Sequence, residues 1–326
     1  METITRITEW VDVDALPLCS RHAFDFALDR LADGSWLTVP VKVAVGSRPR
    51  PRLVAIAGIH GDEPEGMLAL LDLWRALDPG TLHGSVVLVP VANPPAFAAH
   101  QRRSPLDAVD LNRVFPGRLD GTPSERLAYR LLHEVVAGAD LIFTLHSWYA
   151  TGEVVPYVEY PGGEGAVVAR SLEAARAAGF RWLRESTGWP TGSLGRNATN
   201  LGIPVIEAEI GGQGASTPEG RAAYLDHLER LLRHLGLRAG SPPPNPSAQR
   251  CSSIDLTAPV GGILRLASSA GDRVEADAVL ATITSLHGEQ LAEMRAPFSG
   301  LVAAVRRFAS VNPGDQVFRL LRPLAP

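Results

Sequence analysis

The sequence predicts an α/β fold built on a mixed, largely parallel sheet, followed by a small all-β domain. Three observations carry that prediction. Over the first 240 residues, apolar runs of strand length alternate with segments of helical spacing; a proline-rich break, GSPPPNPS, begins at Gly240; and beyond it the texture changes to short strands separated by glycine turns. The expected layout is a first domain at 1–240, a linker at 241–249 and a C-terminal β-domain at 250–326.

Four runs read as buried strands: Leu53 to Ile59 (LVAIAGI), Val86 to Val91 (VVLVPV), Leu141 to Leu145 (LIFTL) and Pro204 to Ile210 (PVIEAEI). Their β-branched content and short length favour strand over helix. Between them, Met67 to Leu77 carries apolar residues at helical spacing, as does Thr122 to Val136, where Thr122 or Ser124 can cap the first turn. A third amphipathic stretch, Tyr224 to Leu237, leads into the break. Three consecutive prolines there forbid helix and favour an extended spacer.

Composition narrows the function classes. With 45% apolar and 20% charged residues and a net charge of −4, the chain is an ordinary globular protein with no global electrostatic case for nucleic acid or anionic lipid. No window reaches the apolar length of a membrane span, and METITRITEW lacks a basic stretch followed by an apolar core, so the expectation is a cytoplasmic protein without a membrane partner. The two cysteines, Cys19 and Cys251, lie in no CxxC or CxxH pair. Any metal must therefore use histidine and carboxylate.

His60-Gly61-Asp62-Glu63 has the spacing at which an imidazole and a carboxylate in a strand-to-helix turn reach one ion. Alone it is a weak signal, since a glutamate at a helix N-terminus is favoured on dipole grounds. Placement strengthens it. His60 follows LVAIAGI, His146 ends LIFTL and Glu209 lies near the end of PVIEAEI; ligands of open α/β sheets collect at the carboxyl ends of strands. Two histidines and one carboxylate leave a fourth coordination position open, as hydrolytic zinc sites do. A nearby carboxylate can then act as general base, and both Glu209 and Glu207 lie on the same face of their strand, so alternation does not choose between them.

The segment Asp110-Leu111-Asn112-Arg113-Val114-Phe115-Pro116-Gly117, taken with GIHGDEPEG, LHS at 145–147 and EIGGQG at 209–214, resembles the succinylglutamate desuccinylase/aspartoacylase family, relatives of the zinc carboxypeptidases. That resemblance implies a zinc carboxypeptidase-like α/β/α domain with one Zn2+ held by His60, Glu63 and His146. It selects Glu209 over Glu207 as general base, makes Asp110 the carboxylate that orients His60, and makes Asn112 and Arg113 the pair that grips a substrate carboxylate. Arg102, beside Arg103, matches the arginine that stabilises the developing oxyanion. The chain departs from the family in two ways: no tyrosine follows Tyr224, and Arg196 is out of register with the arginine that aspartoacylases place before the catalytic glutamate. Trp148 and Tyr149 are candidates for an aromatic wall.

Downstream of the linker the sequence echoes itself. APVGGILRL at 258–266 resembles APFSGLVAAV at 296–305, and AGDRV at 270–274 resembles PGDQV at 313–317, a duplication similar to the two halves of a biotinyl/lipoyl-type β-domain. Such domains carry a cofactor on a hairpin lysine. The corresponding SLHGEQ has none, and Lys42 is the only lysine in the chain, which excludes a swinging-arm carrier. The reading that results is a zinc amidohydrolase acting on a small N-acyl amino acid, with room for a homo-oligomer. A peptide-trimming metallocarboxypeptidase and a non-catalytic metal or metabolite-binding protein on the same scaffold stand as alternatives.

Overall fold

In the computed structural model, which describes residues 3–324, the chain begins with β1 (Ile4–Ile7), β2 (Ser20–Arg30) and β3 (Trp36–Val45). An α/β segment follows: β4 (Arg52–Ala57), α1 (Pro64–Ala76), β5 (Ser85–Val89), α2 (Pro94–Ala98), α3 (Pro123–Arg130) and β6 (Leu141–His146). Then come β7 (Gly152–Pro161), α4 (Ala166–Ala177), β8 (Trp182–Ser186), α5 (Leu194–Asn200), β9 (Val205–Gly212) and α6 (Pro218–His234). The C-terminal region holds β10 (Gln249–Thr257), β11 (Gly262–Leu266), β12 (Arg273–Val274), β13 (Val279–Thr284), β14 (Gln290–Arg295), β15 (Gly300–Arg306), β16 (Ser310–Val311) and β17 (Gln316–Pro323).

The four strands expected from sequence form the parallel centre β5-β4-β6-β9. Alternation divides them between two cores. Leu53, Ala55 and Ala57 pack with α1, α4 and α6, while Val54 and Ile56 pack with α3, α5 and the β2–β3 hairpin. The sheet is mixed, as expected: β1–β2 and β7–β8 are parallel pairs like those of the centre, whereas β3 joins both β2 and β5 antiparallel and β7 joins β9 antiparallel. No helix among the described residues is long and apolar enough to cross a membrane.

Helix α3 starts where the capping signal places it. The Thr122 hydroxyl accepts from the Glu125 amide and the Glu125 carboxylate accepts from the Thr122 amide; Ser124 instead binds Asp107. Its continuation over Leu131–Val135 is a π turn, so the long regular helix expected over 122–136 is shortened. Helix α6 begins six residues before the apolar stretch that announced it. Its cap, Thr217, is fixed by Glu65, a buried carboxylate of α1 that accepts both the Thr217 amide and hydroxyl.

The C-terminal region is a duplicated unit with exchanged strands. The succession β10-β11-β12-β13 recurs as β14-β15-β16-β17, yet one sheet runs β14-β13-β11-β16 and the other β10-β17-β15-β12, so each sheet takes strands from both copies. This corrects one half of the sequence echo. The AP-x-x-G repeats lead into equivalent strands β11 and β15, but AGDRV leads into β12 and PGDQV into β17, which are not equivalents; β12 corresponds to β16. The two G-D-x-V matches are out of structural register. The sheet containing β10 continues into the rest of the molecule: β10 pairs parallel with β8, and β15 pairs antiparallel with β7. Strands β7, β8, β10, β17 and β15 thus close a ring of hydrogen-bonded neighbours around Trp148, Tyr157, Trp182, Cys251 and Leu321.

Candidate metal centre and cavity

His60 and Glu63 stand in the loop between β4 and α1, and Glu63 is the residue that opens the helix, followed by Pro64. The loop must pass close to its neighbour: a Cβ on Gly61 would lie 2.0 Å from the backbone of Ala96. His146 ends β6, and in the register of β6 with β9 it lies beside Glu209. Beneath it the Tyr224 hydroxyl donates to the carbonyls of His146 and Ala208, fixing the two strand ends together.

These placements bring His60, Glu63 and His146 into one buried cluster whose ligand atoms lie within 4.8 Å of one another. One Glu63 oxygen is 2.8 Å from His60 Nδ1 and the other 2.9 Å from His146 Nδ1. The donor set fits a divalent metal, and zinc in particular: two imidazole nitrogens and a carboxylate converge, while His60 Nε2 is directed at Asp110 Oδ1, 3.3 Å away. Burial opposes ionisation of Glu63, but the two imidazoles overcome it and hold the carboxyl well below its ordinary range. Burial likewise disfavours charged His146, yet Glu63 raises it to about 9.

Arg102 and Arg103, which sequence could not separate, have different surroundings. Arg103 is exposed and donates to the Ala108 carbonyl. Arg102 reaches inward, donating to Asp110 Oδ2 at 3.0 Å and to Glu63 Oε1 at 3.2 Å, with its guanidinium 4.7 Å from the Tyr149 ring centre. Asp110 is held ionised against burial by His60 and Arg102. Asn112 lies in the same turn and lines the cavity, but its Oδ1 accepts from the Leu194 amide at 2.8 Å, so only its NH2 is left to donate. Arg113 is exposed at the rim. Arg196 is not among the cavity-lining residues; it donates to the Trp189 carbonyl.

The cavity, about 250 Å3, brings together His60, Glu63, Arg102, Asn112, Arg113, His146, Trp148, Tyr149, Glu207 and Glu209. Glu207 and Glu209 each have a buried carboxylate oxygen without a hydrogen-bond partner. Burial, then repulsion from Glu63, raises Glu209 to about 8, and burial raises Glu207 to about 7. Sequence reading missed the far wall. There Glu159 of β7 accepts from Trp189 Nε1 at 2.8 Å, pairs with Arg184 of β8, and lies 3.3 Å from Arg319 of β17. Arg319 also forks onto Asp255 of β10 at 2.7 and 2.8 Å, and Gln316 meets the Tyr149 hydroxyl at 3.4 Å. The C-terminal region therefore supplies part of the cavity wall through Asp255, Gln316 and Arg319. The only signal for the missed acid was a charge inside an otherwise apolar strand, VEY at 158–160.

Residues 49–235 match the model of the succinylglutamate desuccinylase/aspartoacylase catalytic domain. The chain belongs to the succinylglutamate desuccinylase/aspartoacylase family. It is 32% identical over 295 residues to the N-alpha-acetyl-L-2,4-diaminobutyric acid deacetylase of Halomonas elongata, covering 87% of this chain and 86% of that one. The product-bound structure of the ectoine utilization protein EutE (DoeB) from Ruegeria pomeroyi superposes with a TM-score of 0.87 at 25% identity, over 94% of this chain and 97% of that one. A succinylglutamate desuccinylase/aspartoacylase from Rhodobacter sphaeroides shares the fold with a TM-score of 0.88 at 24% identity, over 97% and 98%. The family's mixed α/β fold with a mostly-sheet C-terminal region is thus the fold of this chain, and the Halomonas relative and the family itself are named for deacylation.

Proposed function

We propose that this chain is a zinc-dependent deacylase that hydrolyses the amide bond of a small N-acyl amino acid, and that Nα-acetyl-L-2,4-diaminobutyrate, on which the Halomonas relative acts, is the substrate to assay first. The observation that carries the reading is Glu209: a buried carboxylate with an unpartnered oxygen, beside His146 in a cavity that opens on the His60, Glu63, His146 cluster. Zinc held by those three residues would polarise the substrate carbonyl and acidify a water. Glu209 takes the proton from the attacking water and returns it to the departing amine. Without a metal, burial keeps Glu209 protonated near neutral pH; a cation beside it favours the carboxylate that a base must be. The Arg102 guanidinium, held by Asp110, stands ready to donate to the carbonyl oxygen as it gains charge. Arg113 and the free NH2 of Asn112 take the substrate carboxylate.

We assign the chemistry to residues 1–240, joined by 241–249 to residues 250–326, which we read as a biotinyl/lipoyl-type module retained as a wall of the cavity. A wall that leaves about 250 Å3 favours small acyl amino acids over peptides. The test is metal content together with turnover. One zinc per chain and loss of amine release by a factor of about 10²–10⁴ in Glu209→Gln, with zinc still bound, are expected. Peptide trimming without deacylation of any N-acyl amino acid would replace this reading by the carboxypeptidase one.

A further inference from the structure

Six carboxylates stand in or against the cavity, and four of them are committed to partners within the protein. Glu63 has an imidazole against each oxygen, and Asp110 is divided between His60 and Arg102. Glu159 is taken by Arg184, Trp189 and Arg319, and Asp255 by the Arg319 fork. Glu209 serves as the base. Glu207 remains. It is 7% exposed and lines the cavity, and no side chain bonds to its Oε1, which lacks a partner at bonding geometry although the Gly195 backbone amide stands near enough to favour the charged carboxylate. The Gly195 backbone passes close to that oxygen, and only glycine fits there: a Cβ would stand 2.8 Å from Glu207 Oε1 and 2.9 Å from the Trp189 ring. A buried carboxylate oxygen without a partner costs free energy unless something else in the functional state supplies the missing donor.

The cations divide in the same way. Arg102, Arg184 and Arg319 are each paired with carboxylates, whereas Arg113 donates only to the Asn112 carbonyl among the described residues. With the base set aside, the uncommitted charges of the cavity are one guanidinium at the rim and one carboxylate in the depth. That pair complements an amino acid bearing a carboxylate and a second, cationic group.

We propose that Glu207 is the receptor for a primary ammonium group on the side chain of the N-acyl amino acid, making this chain selective for basic substrates of short reach. The proposal rests on the deacylase reading for the position of the scissile bond. Glu207 and Glu209 are alternate residues of β9, whose side chains emerge about 7 Å apart along the strand. An ammonium on Glu207 is therefore only a few carbon atoms from an amide opposite Glu209, the separation of a two- or three-carbon side chain.

Binding of free amino acids tests this without requiring turnover. L-2,4-diaminobutyrate and L-2-aminobutyrate, which differ by the ammonium, are titrated into the zinc-loaded protein by calorimetry, with Glu207→Gln and Glu207→Asp alongside. The wild type should prefer the diamine on the order of 30-fold, the scale of a buried charge pair. Glu207→Gln should bring the two ligands to similar affinities by weakening the diamine alone, with zinc content unchanged, and Glu207→Asp should keep part of the preference. Equal binding by the wild type, or a preference that survives in Glu207→Gln, overturns the proposal. Loss of both ligands together with zinc in both variants also overturns it, because Glu207 would then be a support for His146. A diamine preference that depends on Glu207 in a protein that deacylates nothing would leave this inference standing and remove the deacylase reading.

Discussion

The imidazole of His60 uses its two nitrogens for different tasks: Nδ1 faces Glu63, and Nε2 is directed at Asp110, which is itself held by Arg102. Orientation of a ligand histidine by a carboxylate behind it sets both its tautomer and its basicity. Asp110→Asn should therefore weaken zinc binding by about 10- to 100-fold in a chelator competition, with the fold intact by circular dichroism. Unchanged zinc affinity would mean that Asp110 does no more than cap the turn at Asn112, whose amide it accepts at 2.9 Å. At this scale the sequence was readable where polar residues stand at strand ends, as for His60, His146 and Glu209, which the fold gathers in one cavity. It was unreadable for Glu159, whose partner Arg319 lies 160 positions away. A buried ion pair between distant strands leaves little local pattern: the charge within VEY marks Glu159 as unusual but nothing in it points to Arg319.

Secondary-structure elements show the same division. Strands β4, β5, β6 and β9 announce themselves as unbroken apolar runs because they are covered on both faces. The hairpin β2–β3 and strands β7 and β8 were missed because polar residues interrupt them, as Asp25 and Lys42 do in the hairpin and Arg184 and Glu185 in β8. Helix α6 carries a titratable group whose state depends on its packing. His227 stacks on Phe180 at 3.6 Å between ring centres, and its Nδ1 lies 2.7 Å from the Ala178 carbonyl. Burial lowers its pKa to about 4 from the ordinary 6.5. Between those values the unfolded chain binds a proton that the folded chain refuses, so this contribution to stability is present above pH 6.5 and is lost as pH falls towards 4. It amounts to roughly 3 kcal/mol. Urea unfolding of His227→Gln should show a shallower loss of stability across that window than the wild type. Identical pH profiles would mean that the imidazole is accommodated as a cation.

On the scale of the whole molecule, the duplicated C-terminal unit is symmetric in topology but used asymmetrically. Both sheets exchange strands between the copies, yet among the described residues only the strands of the β10, β17, β15 and β12 sheet pair with strands of the rest of the chain, and that sheet alone sends residues to the cavity. The repeat was visible in the sequence; which of the two sheets faces the cavity was not, since that depends on Arg319, held by Asp255, finding Glu159. Arg319 is the joint. Burial opposes its charge, but Tyr157, Asp255 and Glu159 together hold it protonated well above its ordinary range. Removing the guanidinium leaves Glu159 with one cation fewer in a buried site, so Arg319→Gln should cost about 3 kcal/mol of stability. Glu159→Gln should cost less when made in the Arg319→Gln background than alone, and the cycle of single and double variants in urea should give a coupling of about 1–2 kcal/mol. If the wall also shapes the cavity, both single variants lower kcat/KM for the same N-acyl amino acid, and the double variant is no worse than the poorer of the two. Strict additivity in stability and in kcat/KM would show that Arg319 and Glu159 act independently and that their pairing does not hold this wall in place.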